Sequence, residues 1–306
     1  MRIVFCGTPE FSVAPLEKLL ANDYDVVGVY TQPDKGVGRG RKIQFSAVKQ
    51  SAASHGIDVF QPVNFKNEED VEQLRQLNAD LMVVVAYGLI LPQKVLDIPT
   101  YGCWNIHASL LPRWRGAAPI HRALLAGDKT TGVGIMQMEA GLDTGPVFIQ
   151  HECQIAKNET ASQLHDKLAI MGAHALVECL ECLKKDLLPE PMIQNLDAMT
   201  YAKKLDKSES KIAWDEKACV LDRKIRAFNP WPGVVAEING DDFKLWQAEF
   251  IDSESSIDAG SIAKADKNSL IIQCQDKQLS ILEIQKPGKK RMPVAQFMQS
   301  RQNWFT

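Results

Sequence analysis

No stretch of this 306-residue chain reaches the ~18 consecutive apolar residues that a membrane-spanning helix needs. The opening run Ile3–Cys6 stops at Gly7-Thr8-Pro9, too short for a signal-peptide core, so no export signal is expected. An excess of one charge is also lacking. The chain has 35 Lys+Arg against 38 Asp+Glu, a net −3, which excludes a wholesale basic coat for nucleic acid and leaves room for a local basic patch. Seven cysteines, an odd and scattered number, read as reduced thiols of a cytoplasmic protein rather than as a disulfide framework. There is no internal repeat and no low-complexity segment. At roughly 150 residues per domain, the length predicts about two domains.

The first two-thirds alternates strand and helix. Arg2–Cys6 is an apolar run closed by a tight turn, and Glu10–Ala21 carries Phe11, Val13, Leu16, Leu19 and Leu20 at near-helical spacing. Asp25–Thr31 is a β-branched strand, so the pair is parallel with a right-handed crossover. Phe45–His55, Lys66–Leu77, Gly116–Gly127 and Thr160–Lys185 read as helices. Asp80–Ala86, Gly102–His107, Gly132–Met138 and Pro146–Cys153 read as strands. The unbroken apolar run Asp80–Ala86 marks a central strand covered on both faces. From Leu188 to Asp206 the period is lost around Pro189 and Pro191. Beyond it, short alternating segments between turns predict a small all-β unit, a sandwich or barrel. The expected division is 1–189 as an α/β domain, 190–206 as a linker and 207–306 as the β unit.

Familiar ligand loops are missing. The first βα turn, Gly7-Thr8-Pro9-Glu10-Phe11, is not G-x-G-x-x-G, and Pro9 and Phe11 would keep a pyrophosphate away. Gly36-Val37-Gly38-Arg39-Gly40 is no phosphate loop either. Cys179-Leu180-Glu181-Cys182 has no second pair or nearby His to complete a zinc set, so it reads as buried thiols. The lone Asp143-Thr144-Gly145 lacks the second aspartate that an aspartic protease needs. Trp214, Trp231, Trp246 and Trp304 read as core.

The densest signal is Asn105-Ile106-His107-Ala108-Ser109-Leu110-Leu111-Pro112-Arg113-Trp114-Arg115-Gly116. Asn105 and His107 lie two apart at a strand end, so they share one face. Ligands of open parallel sheets bind outside that end. There an amide N–H and an imidazole can hold an oxyanion and move protons. In isolation, N-x-H also fits a loop cap beside a core histidine.

With its neighbours the block resembles the H-x-S-L-L-P-x-x-x-G signature of the folate-dependent formyltransferases. The start C-G-T-P-E-F, the strand V-V-V-A-Y-G-L-I-L-P, M-E-A-G-L-D-T-G-P and the late F-N-P-W-P-G extend the resemblance over essentially the whole chain. It points to the branch of that family that formylates initiator methionyl-tRNA. The alternative is a relative acting on a small amine or sugar nucleotide.

The resemblance implies a Rossmann-like parallel-sheet formyltransferase domain followed by an OB-like barrel that binds tRNA. It implies Asn105, His107 and Asp143 as catalytic residues, with Asp143 fixing the His107 tautomer. The formyl donor would be 10-formyltetrahydrofolate, attacked directly by the amine through a tetrahedral intermediate. No metal is expected, because protein donors can supply the stabilisation. Folate would lie against Ser109, Leu110, Leu111 and Pro112 and the strand end with Tyr87, Leu89 and Leu91. A monomer is expected.

One further element has no place in a small-substrate enzyme. Gln32–Gln44 carries three glycines and the cations Lys35, Arg39, Arg41 and Lys42, a mobile basic loop suited to phosphates. By the resemblance it reaches the tRNA acceptor end, with Arg39, Arg41 and Lys42 in contact. Residues 207–306 hold 15 Lys+Arg against 14 Asp+Glu, and the preceding chain 20 against 24. That contrast favours the second domain as the phosphate platform, with Lys289, Lys290 and Arg291 as tRNA contacts.

Overall fold

The computed structural model describes residues 1–37, 42–253 and 256–304. They form two compact bodies. The first comprises Met1–Pro119, Thr130–Cys153 and His165–Ala202, and the second Ile120–Lys129, Gln154–Leu164 and Lys203–Thr306. Residues 190–202, marked by their texture as linker, thus pack into the first body.

In chain order the elements begin with β1 (Arg2–Gly7), α1 (Val13–Leu20), β2 (Asp25–Tyr30), β3 (Lys35–Val37), β4 (Lys42–Gln44) and α2 (Ala47–Ser54). Next come β5 (Val59–Phe60), α3 (Glu68–Gln76), β6 (Leu81–Val85), α4 (Gln93–Leu96), β7 (Cys103–His107) and β8 (Arg115–Gly116). Then follow α5 (Pro119–Ala126), β9 (Thr130–Gln137), β10 (Val147–Gln154), α6 (Ala161–Lys184) and β11 (Tyr201–Ala202).

Seven strands make the main sheet, in the order β10-β9-β7-β6-β1-β2-β5. From β7 to β5 all neighbours run parallel. Alternation of strand and helix forces this, because parallel partners need a crossover. β9 is antiparallel to β7, pairing His107 with Gly134. All five residues of β6 are buried, as its unbroken apolar run requires. At ~1.5–3 kcal/mol per fully buried aliphatic side chain, such strands dominate the stability of the sheet.

The second body contains a six-stranded antiparallel sheet. Its main path is β12 (Val234–Ile238), β13 (Asp241–Ile251), β16 (Gln278–Gln285), β15 (Leu270–Gln273) and β14 (Ile262–Ala265), with β17 (Met292–Pro293) on β16. It also holds α7 (Ala218–Ala227) and α8 (Val294–Met298), which the sequence reading omits. Ala218, Leu221 and Ile225 repeat three and four apart and are buried. The charges Asp222, Arg223, Lys224 and Arg226 between them mask the period. Trp214 and Trp304 are core, as read, whereas Trp231 is half-exposed on the turn Asn229–Gly233 and Trp246 is partly exposed.

No helix among the described residues is long and apolar enough to cross a membrane.

Candidate active site

The site begins with the strand order. From β1 the chain moves to β2 and β5 on one side, then returns to place β6 on the other. Loops diverge at that reversal and open a crevice outside the carboxyl ends of the strands. The backbone there is tied across the gap. Thr8 Oγ1 donates to the Tyr87 carbonyl at 2.8 Å, and Ser12 Oγ to the Val85 carbonyl at 2.6 Å. The loops after β1, β2, β6 and β7 all leave from this edge.

Asn105 and His107 occupy the end of β7. Asn105 Nδ2 donates to the Val84 carbonyl at 3.1 Å, which leaves one amide proton free. Its Oδ1 is buried and without a partner among the described residues. Such an orphaned acceptor is a position for a donor from a bound molecule.

His107 is buried, and its Nε2 lies 2.9 Å from the Trp114 carbonyl. A carbonyl only accepts, so Nε2 carries a proton. Nδ1 is then the exchangeable position. Asp143 Oδ2 stands 3.7 Å from Nδ1 and accepts the Gly116 N–H at 2.7 Å. Asp143, expected to orient the imidazole, faces Nδ1 at 3.7 Å, beyond hydrogen-bond reach, while the Trp114 carbonyl holds Nε2. Ala86, Trp114 and Asp143 all have left-handed backbone, with φ of 46°, 65° and 52°. This costs Ala86 and Trp114 ~1–2 kcal/mol each and Asp143 less, because a short polar side chain tolerates it, and such strain gathers where a fold holds a functional geometry.

A strap from residue 192 to 202 holds this arrangement, and the sequence reading overlooked it. β11 pairs with β8. Thr200 Oγ1 accepts the Trp114 N–H at 2.9 Å, and the Thr200 carbonyl accepts the Arg115 N–H at 2.9 Å. Arg115, read only as part of the motif, is almost completely buried. Its Nε and Nη2 donate to Gln194 Oε1 at 3.0 and 2.8 Å, and Nη1 meets the Met199 sulfur at 3.1 Å. Gln194 Nε2 in turn donates to the carbonyls of Asp143 and Gly145, at 2.9 and 2.6 Å. Only the lone Gln and Thr in an aperiodic stretch could have signalled these roles.

The residues expected to meet folate divide. Ser109 is fully buried and closes its own turn on the Arg113 carbonyl at 2.6 Å. Leu111 packs with Met136 and Val147, and Leu110 and Pro112 are half-buried. The Tyr87 and Leu91 side chains belong to the core, with Leu89 packed against the same cluster. Their apolar side chains are spent there, whereas the neighbouring Ile90 is exposed. Met138 packs against both clusters.

Of the basic loop, the base is a hairpin pairing Lys35 with Gln44 and Val37 with Lys42. Gln32 links it to the crevice, accepting from Lys35 Nζ at 2.9 Å and donating to the Gly88 carbonyl at 3.0 Å. Arg39, Arg41 and the Lys42 side chain lie outside the described residues.

In the second body Lys289, Lys290 and Arg291 are exposed. Arg291 pairs with Glu283 and lies 5.1 Å from the Trp246 ring. Among the described residues no group of three or more His, Cys, Asp or Glu is gathered as for a metal ion. Burial pushes the Cys179 thiol up to about 12, in keeping with a core role.

A mostly parallel sheet with Asn, His and Asp converging at the carboxyl end of β7, and an antiparallel β unit after it in the chain, define a class. The chain belongs to the formyl transferase family: residues 1–180 match the formyl transferase model and residues 204–302 its C-terminal domain. It is similar to methionyl-tRNA formyltransferase of Dechloromonas aromatica (strain RCB), at 51% identity over 97% of this chain and 95% of that protein. The same-named protein of Methylococcus capsulatus is 50% identical over 97% of this chain and 96% of its own. Among solved structures, HypX from Aquifex aeolicus in complex with tetrahydrofolic acid shares the fold, at TM-score 0.66 and 15% identity. That match covers 97% of this chain, which spans about half the length of HypX, 47%.

Proposed function

We propose that this chain transfers the formyl group of 10-formyltetrahydrofolate to the α-amino group of initiator methionyl-tRNA. Near-full-length identity of about half to proteins bearing that name supports the reading. The observation that carries it is the set Asn105, His107 and Asp143, in which Trp114 engages Nε2 and leaves Nδ1 facing a carboxylate.

The folate supplies an activated formyl carbon to the amine. Asn105 offers its remaining Nδ2 proton to the formyl oxygen as negative charge grows there, and its orphaned Oδ1 accepts from the amine. His107, when Nδ1 carries a proton as well as Nε2, donates from it to the same oxygen. Asp143, steadied by the Gly116 N–H, takes the proton that the amine loses once nitrogen bonds to carbon. A proton returns to the folate nitrogen as its bond to carbon breaks. Donors fixed before reaction contribute because they need no reorganisation.

The 32–44 loop would bring Lys35, Arg39, Arg41 and Lys42 toward acceptor-stem phosphates, with Lys289, Lys290 and Arg291 adding a salt-sensitive grip. Phosphate contacts position but do not specify. Initiator choice would come from loop entry at a weak or unpaired first base pair, where strand opening is cheapest. The proposed working arrangement is a monomer in the cytoplasm, with 1–189 as the catalytic domain and 207–306 as the tRNA-binding one.

The test is formyl transfer from 10-formyltetrahydrofolate to initiator Met-tRNA, elongator Met-tRNA and an amino-sugar nucleotide. Preference for the initiator is expected, and Arg39→Ala should weaken transfer to it while leaving folate binding intact. Turnover of the sugar nucleotide alone would overturn the reading.

A further inference from the structure

We propose that Gln194, with Arg115 behind it, is a positioning residue for formyl transfer, acting through Asp143; this rests on the reading of Asp143 given above. The pieces form one chain of contacts. Arg115 is a cation with 2% of its surface exposed, and its guanidinium has no carboxylate partner among the described residues. Its main acceptor is Gln194 Oε1, which takes two N–H bonds, at 3.0 and 2.8 Å. A buried charge on the oxygen end of a carboxamide pulls electron density from its nitrogen and strengthens that nitrogen as a donor. Gln194 Nε2 spends this donor capacity on two carbonyls of a single turn, those of Asp143 and Gly145.

That turn needs holding. Asp143 sits at φ 52°, in the left-handed region, which any residue with a Cβ enters at some cost, aspartate less than most. A Cβ on Gly145 would fall 1.8 Å from the Gln137 carbonyl oxygen, so the turn presses against β9. The clamp keeps Asp143 Oδ2 on the Gly116 N–H at 2.7 Å and 3.7 Å from His107 Nδ1. Released from Gln194, the turn would still place Asp143 nearby but no longer fix its carboxylate against the Gly116 N–H, where it is to meet the amine's proton.

Two variants separate this from a merely structural part. Gln194→Glu keeps an acceptor for Arg115 and removes the donors to the turn. The double variant Arg115→Met with Gln194→Leu replaces both polar partners by apolar groups of similar size, an exchange that buried polar pairs commonly tolerate. Near-ultraviolet circular dichroism identifies which of them keep the native fold. The expected result, in either folded variant, is a roughly 10- to 100-fold lower kcat with KM for both substrates nearly unchanged and a displaced pH–rate profile. The second arm repeats Gln194→Glu in an Asp143→Asn background. There it should cost almost nothing further, because residues acting through one group are not additive.

Wild-type kcat and pH profile in a folded variant would overturn the proposal. So would a full additional loss on top of Asp143→Asn, which would mark a structural role only. If Asp143→Asn alone turns over like the wild type, the reading of Asp143 fails, and the proposal fails with it.

Discussion

His107 Nε2 donates to the Trp114 carbonyl oxygen at 2.9 Å, and this contact determines which imidazole nitrogen can exchange a proton. Trp114 is itself held at φ 65° by a hydrogen bond from its N–H to Thr200 Oγ1. The acid–base behaviour of a residue on β7 therefore depends on a threonine 93 positions away in the chain.

Thr200→Ala removes that anchor from a part-buried N–H. Steady-state kinetics should show kcat lowered roughly 3- to 10-fold through loss of imidazole alignment. Denaturation should show a loss of about 1 kcal/mol for the missing bond. Thr200→Ser keeps the hydroxyl and should restore both. Unchanged kcat in Thr200→Ala would mean that Trp114 needs no such support.

In the second body the Arg122 guanidinium grips Glu209 with two bonds, at 2.6 and 3.0 Å, and holds its carboxyl below the usual range. The Asp206 N–H adds a third bond at 2.8 Å. A folded-state pKa below the unfolded one stabilises at pH above the unfolded value, and the contribution is lost as pH falls through the folded value. Glu209→Gln should therefore cost about 1 kcal/mol at pH 7, modest because the pair is partly solvated. The difference from wild type should begin to shrink near about pH 4, where a free glutamate takes up its proton, and close only below the lowered folded-state value. A constant difference from pH 7 to pH 3 would assign the loss to packing instead.

Most of the α/β frame was legible because its signals are local. The continuous apolar run 81–85 can only be a central strand, and each predicted helix carries its apolar stripe. The antiparallel sense of β9 was not legible, because a strand buried on both faces reads the same in either direction. The helix Ala218–Ala227 was hidden by charges set between its buried positions. At the site, Asn105, His107 and Asp143 stood out through motifs. Gln194 and Thr200 act through single hydrogen bonds to distant backbone, and such contacts leave no period or spacing in a sequence. Tyr87 shows the opposite case: its motif pointed to the ligand, while its ring fills the core.

The most direct test of the account is single-turnover formyl transfer to initiator Met-tRNA by Asn105→Ala, His107→Ala and Asp143→Asn, with folate and tRNA saturating. Each should be slower than wild type by roughly 10² or more, the usual cost of removing one preorganised donor or proton carrier, with folate affinity and fold retained. Wild-type rates in any two of the three would contradict it.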